Sequence, residues 1–300
     1  MKNFVRVCTA VLAVGVLLCI GGAAAGGKLY SSVVDGQIRP FGWWFPRMRG
    51  ESQEDYDQRT GAGRDGGSVW EPAAPSVYGE PNLPDLADIP SSLPGITELK
   101  KLDFQLSAGE YYIVTGDAYG YSCNDADWLT SKVENGVWKL SVAKKWFKFD
   151  WDDTRICTIT IPEGCTVEKA ELSLGAADVE IAAPITAQKL EIETGAADVT
   201  FSAPVTVEKA DLEVGAGSLS FSLLDASDEI DAEIGAGGLD MVLAGGWEDY
   251  SIRAEVAMGS ISVNGRDLVA GLAGERSQGS GRRKIVLEAG MGGADIYTER

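Results

Sequence analysis

Residues Ala170–Ile181 (AELSLGAADVEI), Leu190–Phe201 (LEIETGAADVTF) and Ala210–Phe221 (ADLEVGAGSLSF) are one motif written three times, and Ile230–Met241 (IDAEIGAGGLDM) writes it a fourth time. Gly175, Gly195, Gly215 and Gly235 stand twenty residues apart. A fixed period of this size specifies stacked equivalent units, each burying its apolar face against the next. Within a unit the apolar positions alternate with polar ones, the period of a half-buried strand. Between units they align. Ala170, Leu190, Ala210 and Ile230 form one row, and Leu172, Ile192, Leu212 and Ala232 the next. Val179, Val199, Leu219 and Leu239 form a third, then Ile181, Phe201, Phe221 and Met241. Glu180, Thr200, Ser220 and Asp240 fall between these last two rows and face outward.

Period-two alternation within units and near-identity between them predict a mainly β fold, a short β-solenoid of coils of about twenty residues. The Gly-Ala-(Ala/Gly) runs are expected at its corners, where small residues let coils approach closely. Upstream, Leu102–Leu106 alternates and Ser107-Ala108-Gly109 reads as a turn into a partner strand, Glu110–Thr115. Asn135-Gly136 carries the signature of a two-residue hairpin. Arg155–Ile161 is a further strand, closed by Pro162-Glu163-Gly164. Ala257–Ser260 and Gly290–Asp295 repeat the corner around a polar, Gly-rich excursion, Gly271–Lys284, and are expected to cap the stack.

The first 27 residues have another character. Lys2 and Arg6 precede an uncharged stretch, Val7–Gly27, long enough to span a bilayer as a helix. Its Ala23-Ala24-Ala25 also offers a signal-peptidase site. We expect a signal anchor through residues 7–27 that exports the body, giving a single-pass cell-membrane protein with an extracytoplasmic C-terminal part. Cleavage would make it a secreted one. Residues 28–98 read as a Pro/Gly-rich linker, leaving 99–300 as the repeat domain. Within the linker, Phe41-Gly-Trp-Trp-Phe-Pro46 with Arg39, Arg47 and Arg49 suits either a membrane interface or the surface of the folded body.

Chemistry is narrowly bounded. The chain has no histidine, which removes Ser–His and Cys–His nucleophiles and imidazole metal ligands. Its net charge of −19 repels phosphate backbones, so no nucleic-acid partner is expected. Beyond the leader, Cys123, Cys157 and Cys165 admit at most one disulfide and are expected as isolated, reduced apolar residues. Asp178, Glu180, Asp198 and Asp240 are the carboxylates placed to serve a polysaccharide-active solenoid, but minimal loops between repeats leave no cleft walls. Gly235–Asp240 and Gly292–Asp295 echo calcium-binding Gly/Asp repeats at the wrong period and are expected to stabilise turns, and the acidic cluster Asp150, Asp152 and Asp153 beside Trp151 is expected as plain surface. No catalytic residue, metal or cofactor is therefore expected.

The segment Ile159-Thr-Ile-Pro-Glu-Gly164 leading into Ala170–Ile181 and its repeats, with Leu102–Gly109 upstream, resembles the bacterial putative-adhesin family of β-strand-repeat proteins. The resemblance covers about residues 99–300 and implies an envelope-associated protein, and the residues themselves lead us to expect a non-enzymatic surface protein that contacts a ligand. Its ligand would be a cell-wall, matrix or envelope component. It also implies a second class of role, in sensing or modulating envelope stress beside a sensor kinase.

Overall fold

The computed structural model describes residues 91–92, 99–143 and 155–299. The Val7–Gly27 stretch, the 41–46 aromatic segment, nearly all of the linker and the Asp150–Asp153 cluster lie outside them. Among the described residues no helix is long and apolar enough to cross a membrane.

The fold is mainly β. In chain order the strands are β1 (Ser91–Ser92), β2 (Lys101–Leu106), β3 (Gly109–Gly116), β4 (Gly120–Cys123), β5 (Leu129–Glu134), β6 (Val137–Val142) and β7 (Ile156–Pro162). The repeats supply β8 (Thr166–Leu174), β9 (Ala177–Ile181), β10 (Ile185–Thr194), β11 (Asp198–Phe201), β12 (Val205–Val214), β13 (Ser218–Ile234) and β14 (Gly238–Leu243). A 3-10 turn, Trp247–Asp249, leads to β15 (Tyr250–Val256), β16 (Ser260–Val263), β17 (Arg266–Ala270), β18 (Gly274–Gly279), β19 (Arg283–Ala289) and β20 (Gly293–Thr298).

These strands pair in two columns. The first runs β6, β2, β8, β10, β12, the C-terminal half of β13, β19 and β15, all parallel. The second runs β7, β3, β9, β11, the N-terminal half of β13, β14, β20 and β16, again parallel. Through the repeats the register is the twenty-residue period itself: Ala170, Leu190, Ala210 and Ile230 are successive partners, as are Val179, Val199, Leu219 and Leu239. Both rows are buried and belong to one apolar cluster shared by the columns. Phe201 and Phe221 stack face to face in it, ring centroids 4.5 Å apart. Parallel pairing puts like residues over like, so a favourable apolar contact is repeated at every layer.

The four glycine corners stand in file. Gly195 N–H donates to the Leu174 carbonyl, Gly215 to Thr194 and Gly235 to Val214, each at 2.7–2.8 Å. The other corner carries Pro184 and Pro204, which lack the N–H that a ladder needs. In the third unit that corner loses its proline and one residue, and β13 continues unbroken for 17 residues. The register slips there and is restored by an extra residue before Glu229.

At both ends the order of layers departs from the order of the chain. β2 and β3 lie inside β6 and β7, which come later in the sequence. Correspondingly, β19 and β20 insert between β13–β14 and the earlier β15–β16. Antiparallel strands close the outermost layers: β5 on β6, β4 on β7, β18 on β15 and β17 on β16. The Asn135-Gly136 hairpin joins β5 to β6, with both residues at positive φ (52° and 76°), and Asn264-Gly265 turns β16 into β17 the same way.

Three expectations are overturned. Gly290–Asp295 does not cap the stack: β20 lies between β14 and β16, and antiparallel strands close the end instead. β2 and β3 are not hairpin partners: Ser107–Gly109 is a corner, and the strands enter different columns. Each instead sets its apolar residues over those of a parallel neighbour, Leu102, Phe104 and Leu106 over Ala170, Leu172 and Leu174, and Tyr111 and Ile113 over Val179 and Ile181. Cys123 and Cys157 are not isolated thiols but a disulfide, because β4 and β7 set them directly opposite each other. Cys165 alone remains a free thiol among the described residues, in contact with the Tyr119 hydroxyl.

Candidate functional site

With the interior apolar, any ligand must be met on the outward side chains, and the first column shows two regimes. Over its early layers an alternating ladder of ion pairs runs along the stack. Lys139 pairs with Asp103 (3.5 Å), Asp103 with Lys101 (3.9 Å) and Lys101 with Glu171 (2.7 Å). Glu171 continues to Lys169 (2.8 Å), Lys169 to Glu191 (2.6 Å), Glu191 to Lys189 (2.7 Å) and Lys189 to Asp211 (2.5 Å). The ammonium groups of Lys101 and Lys169 hold the Glu171 carboxyl down to about 2. This surface satisfies itself.

Over the later layers the balance turns acidic. Glu193, Glu213, Glu233, Glu288, Glu255 and Glu275 are successive register partners across six layers. Among the described residues, Glu275 alone in this row forms an ion pair, with Arg253 at 3.1 Å. The Glu233 carboxyl is pushed up by burial and then by the charges of Glu213, Glu288 and Asp231. Like charges directly opposite repel.

An apolar track lies beside the glutamates. The central corner residues Ala196, Ala216, Ala236, Met291 and Met258 occupy equivalent outward positions, stepped by hydrogen bonds from Met291 N–H to Gly235 O (2.7 Å) and Met258 N–H to Gly290 O (2.8 Å). Leu272 extends the track, because its neighbours Gly271 and Ala273 donate to the carbonyls on either side of Met258. Leu272 is 80% exposed, Met291 58% and Met258 55%. Apart from Val133, they are the exposed large apolar side chains among the described residues, and they lie together.

The second column carries the sequence-derived carboxylates. Asp178 and Asp198 are register neighbours one layer apart, and Asp198 accepts a 2.7 Å bond from Ser218 Oγ. Burial pushes Glu180 up, with the Asp178 charge adding to it. Asp240 lies three layers beyond Glu180 and instead neighbours Asp295, to which Ser262 donates a hydrogen bond. Packing around the Asp240 carboxyl, then the Asp295 charge, raises its pKa to about 6. The four candidates thus do not converge: Asp178, Glu180 and Asp198 lie in adjacent layers and Asp240 stands apart. Both Gly/Asp echoes come together at Asp240 and Asp295, yet among the described residues no group of three or more Cys, Asp or Glu is placed to hold a metal ion. An open depression lined by Ser251, Arg253, Ser277 and Lys284 contains no carboxylate pair.

No protein-family model matches the chain. No curated protein matches it. Among solved structures it is similar to a putative cell adhesion protein from Clostridium sporogenes, at 17% identity over 67% of this chain and 93% of the other, with a TM-score of 0.39. A putative adhesin from Bacteroides fragilis shows 16% identity over 66% and 92%, TM-score 0.34. One from Parabacteroides distasonis shows 10% over 68% and 94%, TM-score 0.36. Likenesses of this size leave the activity of the chain to be argued from its own residues.

Proposed function

We propose that this chain is a non-enzymatic surface protein of the bacterial envelope, anchored through residues 7–27, whose repeat domain is a short β-solenoid serving as an adhesin-like binding scaffold. The observation that carries this reading is the outward face. On it an ion-pair ladder from Lys139 to Asp211 gives way to a row of glutamates in register beside a track of exposed apolar side chains. A scaffold of this kind binds by repetition, presenting the same side chain at each layer with a spacing of about 4.8 Å. The hydrophobic stretch after Lys2 and Arg6 supports export, and the linker supports display away from the membrane.

Localisation tests it. With a C-terminal tag on the full chain, protease added to intact cells should remove the body, while the tag-free leader stays with alkali-washed membranes. Retention of the tag in the cytosol would sink the proposal. Measurable polysaccharide cleavage that falls at least tenfold in Asp178→Asn or Glu180→Gln would replace it with the enzymatic alternative.

A further inference from the structure

Each apolar residue of the corner track stands three residues from the glutamate of its own layer: Ala236 from Glu233, Met291 from Glu288, Met258 from Glu255 and Leu272 from Glu275. The glutamates pair in register across these layers. Two parallel tracks result, one apolar and one anionic, running along the stack and side by side. The apolar one broadens from alanine to two methionines and a leucine towards the C-terminal end. Methionine is a side chain that repacks around varied partners.

We infer that this double track is a docking edge for a basic amphipathic helix of a partner protein. The inference rests on the scaffold reading above and names the chemistry of what it binds. The period selects the helix. Layers repeat at about 4.8 Å, and an α-helix lying along the stack advances about 5.4 Å per turn. One apolar side chain per turn therefore meets one layer, drifting only about 0.6 Å each time. A strand laid the same way presents same-face side chains every 6.6–6.8 Å or so and loses step by the second layer. Charge selects the second stripe. A row of carboxylates held opposite one another is relieved by lysine or arginine at the matching position on each turn, whereas an anionic lipid surface is repelled.

The test uses the full chain in mild detergent and three labelled synthetic peptides of equal length. The first carries leucine on one helical stripe and lysine on the adjacent stripe. The second has the same composition scrambled so that no stripe forms, and the third replaces each lysine by glutamate. By fluorescence anisotropy at low salt, the first should bind at least tenfold more tightly than either of the others. Changing Met258, Met291 and Leu272 together to serine should lose at least tenfold. Because these residues are exposed, circular dichroism should match that of the parent. The Glu233→Gln, Glu255→Gln, Glu288→Gln variant should weaken binding and flatten its salt dependence. Neutralising Asp117, Asp127 and Glu163, exposed at the opposite end, should change it less than twofold.

Equal affinity for the scrambled peptide, or unchanged binding by the triple serine variant, overturns the inference. So does a protein that ignores all three peptides but sediments with phosphatidylcholine vesicles through the same residues. None of these results bears on where the protein resides, and a cytosolic tag in the localisation experiment would leave the double track standing.

Discussion

Single residues set the tolerances of the stack. A Cβ added at Gly217 would overlap the Ala197 carbonyl, backbone that cannot turn aside, whereas at Gly238 it would meet open space. Gly217→Ala should therefore cost about 1–3 kcal/mol by overpacking, and Gly238→Ala less than about 0.5 kcal/mol, both read from urea midpoints. Two carboxylates predict opposite pH dependences. Asp240 rises from 3.8 to about 6, so between those values the folded chain holds a proton that the unfolded chain has released. Stability from this group is complete below the lower value and is lost as pH rises through the upper one. Asp240→Asn should flatten that decline. Glu171 falls from 4.5 to about 2, so its contribution is present above 4.5 and lost as pH drops towards 2. Glu171→Gln should remove the acid-side loss and leave the Asp240 window untouched. The Cys123–Cys157 pair was not legible in the chain, since three cysteines allow three pairings and only the meeting of β4 with β7 chooses among them.

At the scale of elements, the strands of the four repeats were legible because the twenty-residue period holds at every glycine corner, although the slip at the third unit's other corner and the unbroken β13 were not. Row membership, outward positions and glycine corners follow directly from spacing. The register of β2 with β8 was not, because Lys101 meets Lys169 across a separation that no period marks. Nor could the ion-pair ladder be read, since it needs that pairing to join Lys101 to Glu171. Its links are part-exposed and individually weak. Lys189→Ala should cost about 0.5–1 kcal/mol at low salt and almost nothing in 1 M salt, a difference that thermal melts at the two ionic strengths will show. Interior columns are another matter. Phe201→Ala empties a fully buried site against Phe221 and should cost about 3–5 kcal/mol in chemical denaturation.

On the scale of the whole domain, the candidate surface depends on an ordering that the sequence conceals. Met291 precedes Met258 along the stack although it follows it in the chain, because β19 and β20 enter between two layers already specified upstream. Only that insertion aligns the glutamates, so neither track can be found by reading residues in succession. The inserted strands are fastened by Arg283, whose guanidinium donates to Asp225 (2.9 Å), to the Ala244 carbonyl and to the Tyr250 hydroxyl (both 3.1 Å). Truncation after residue 281 should thus abolish cooperative unfolding and not merely trim an end, a loss visible in near-ultraviolet circular dichroism. Repeat arrays commonly grow by accretion, and a shortened one is simply a smaller version of itself. Here β19 and β20 are a keystone, set in the middle of a course laid by earlier residues. A chain without these two strands would have a slot with nothing to fill it, so the architecture itself distinguishes filled molecules from gapped ones.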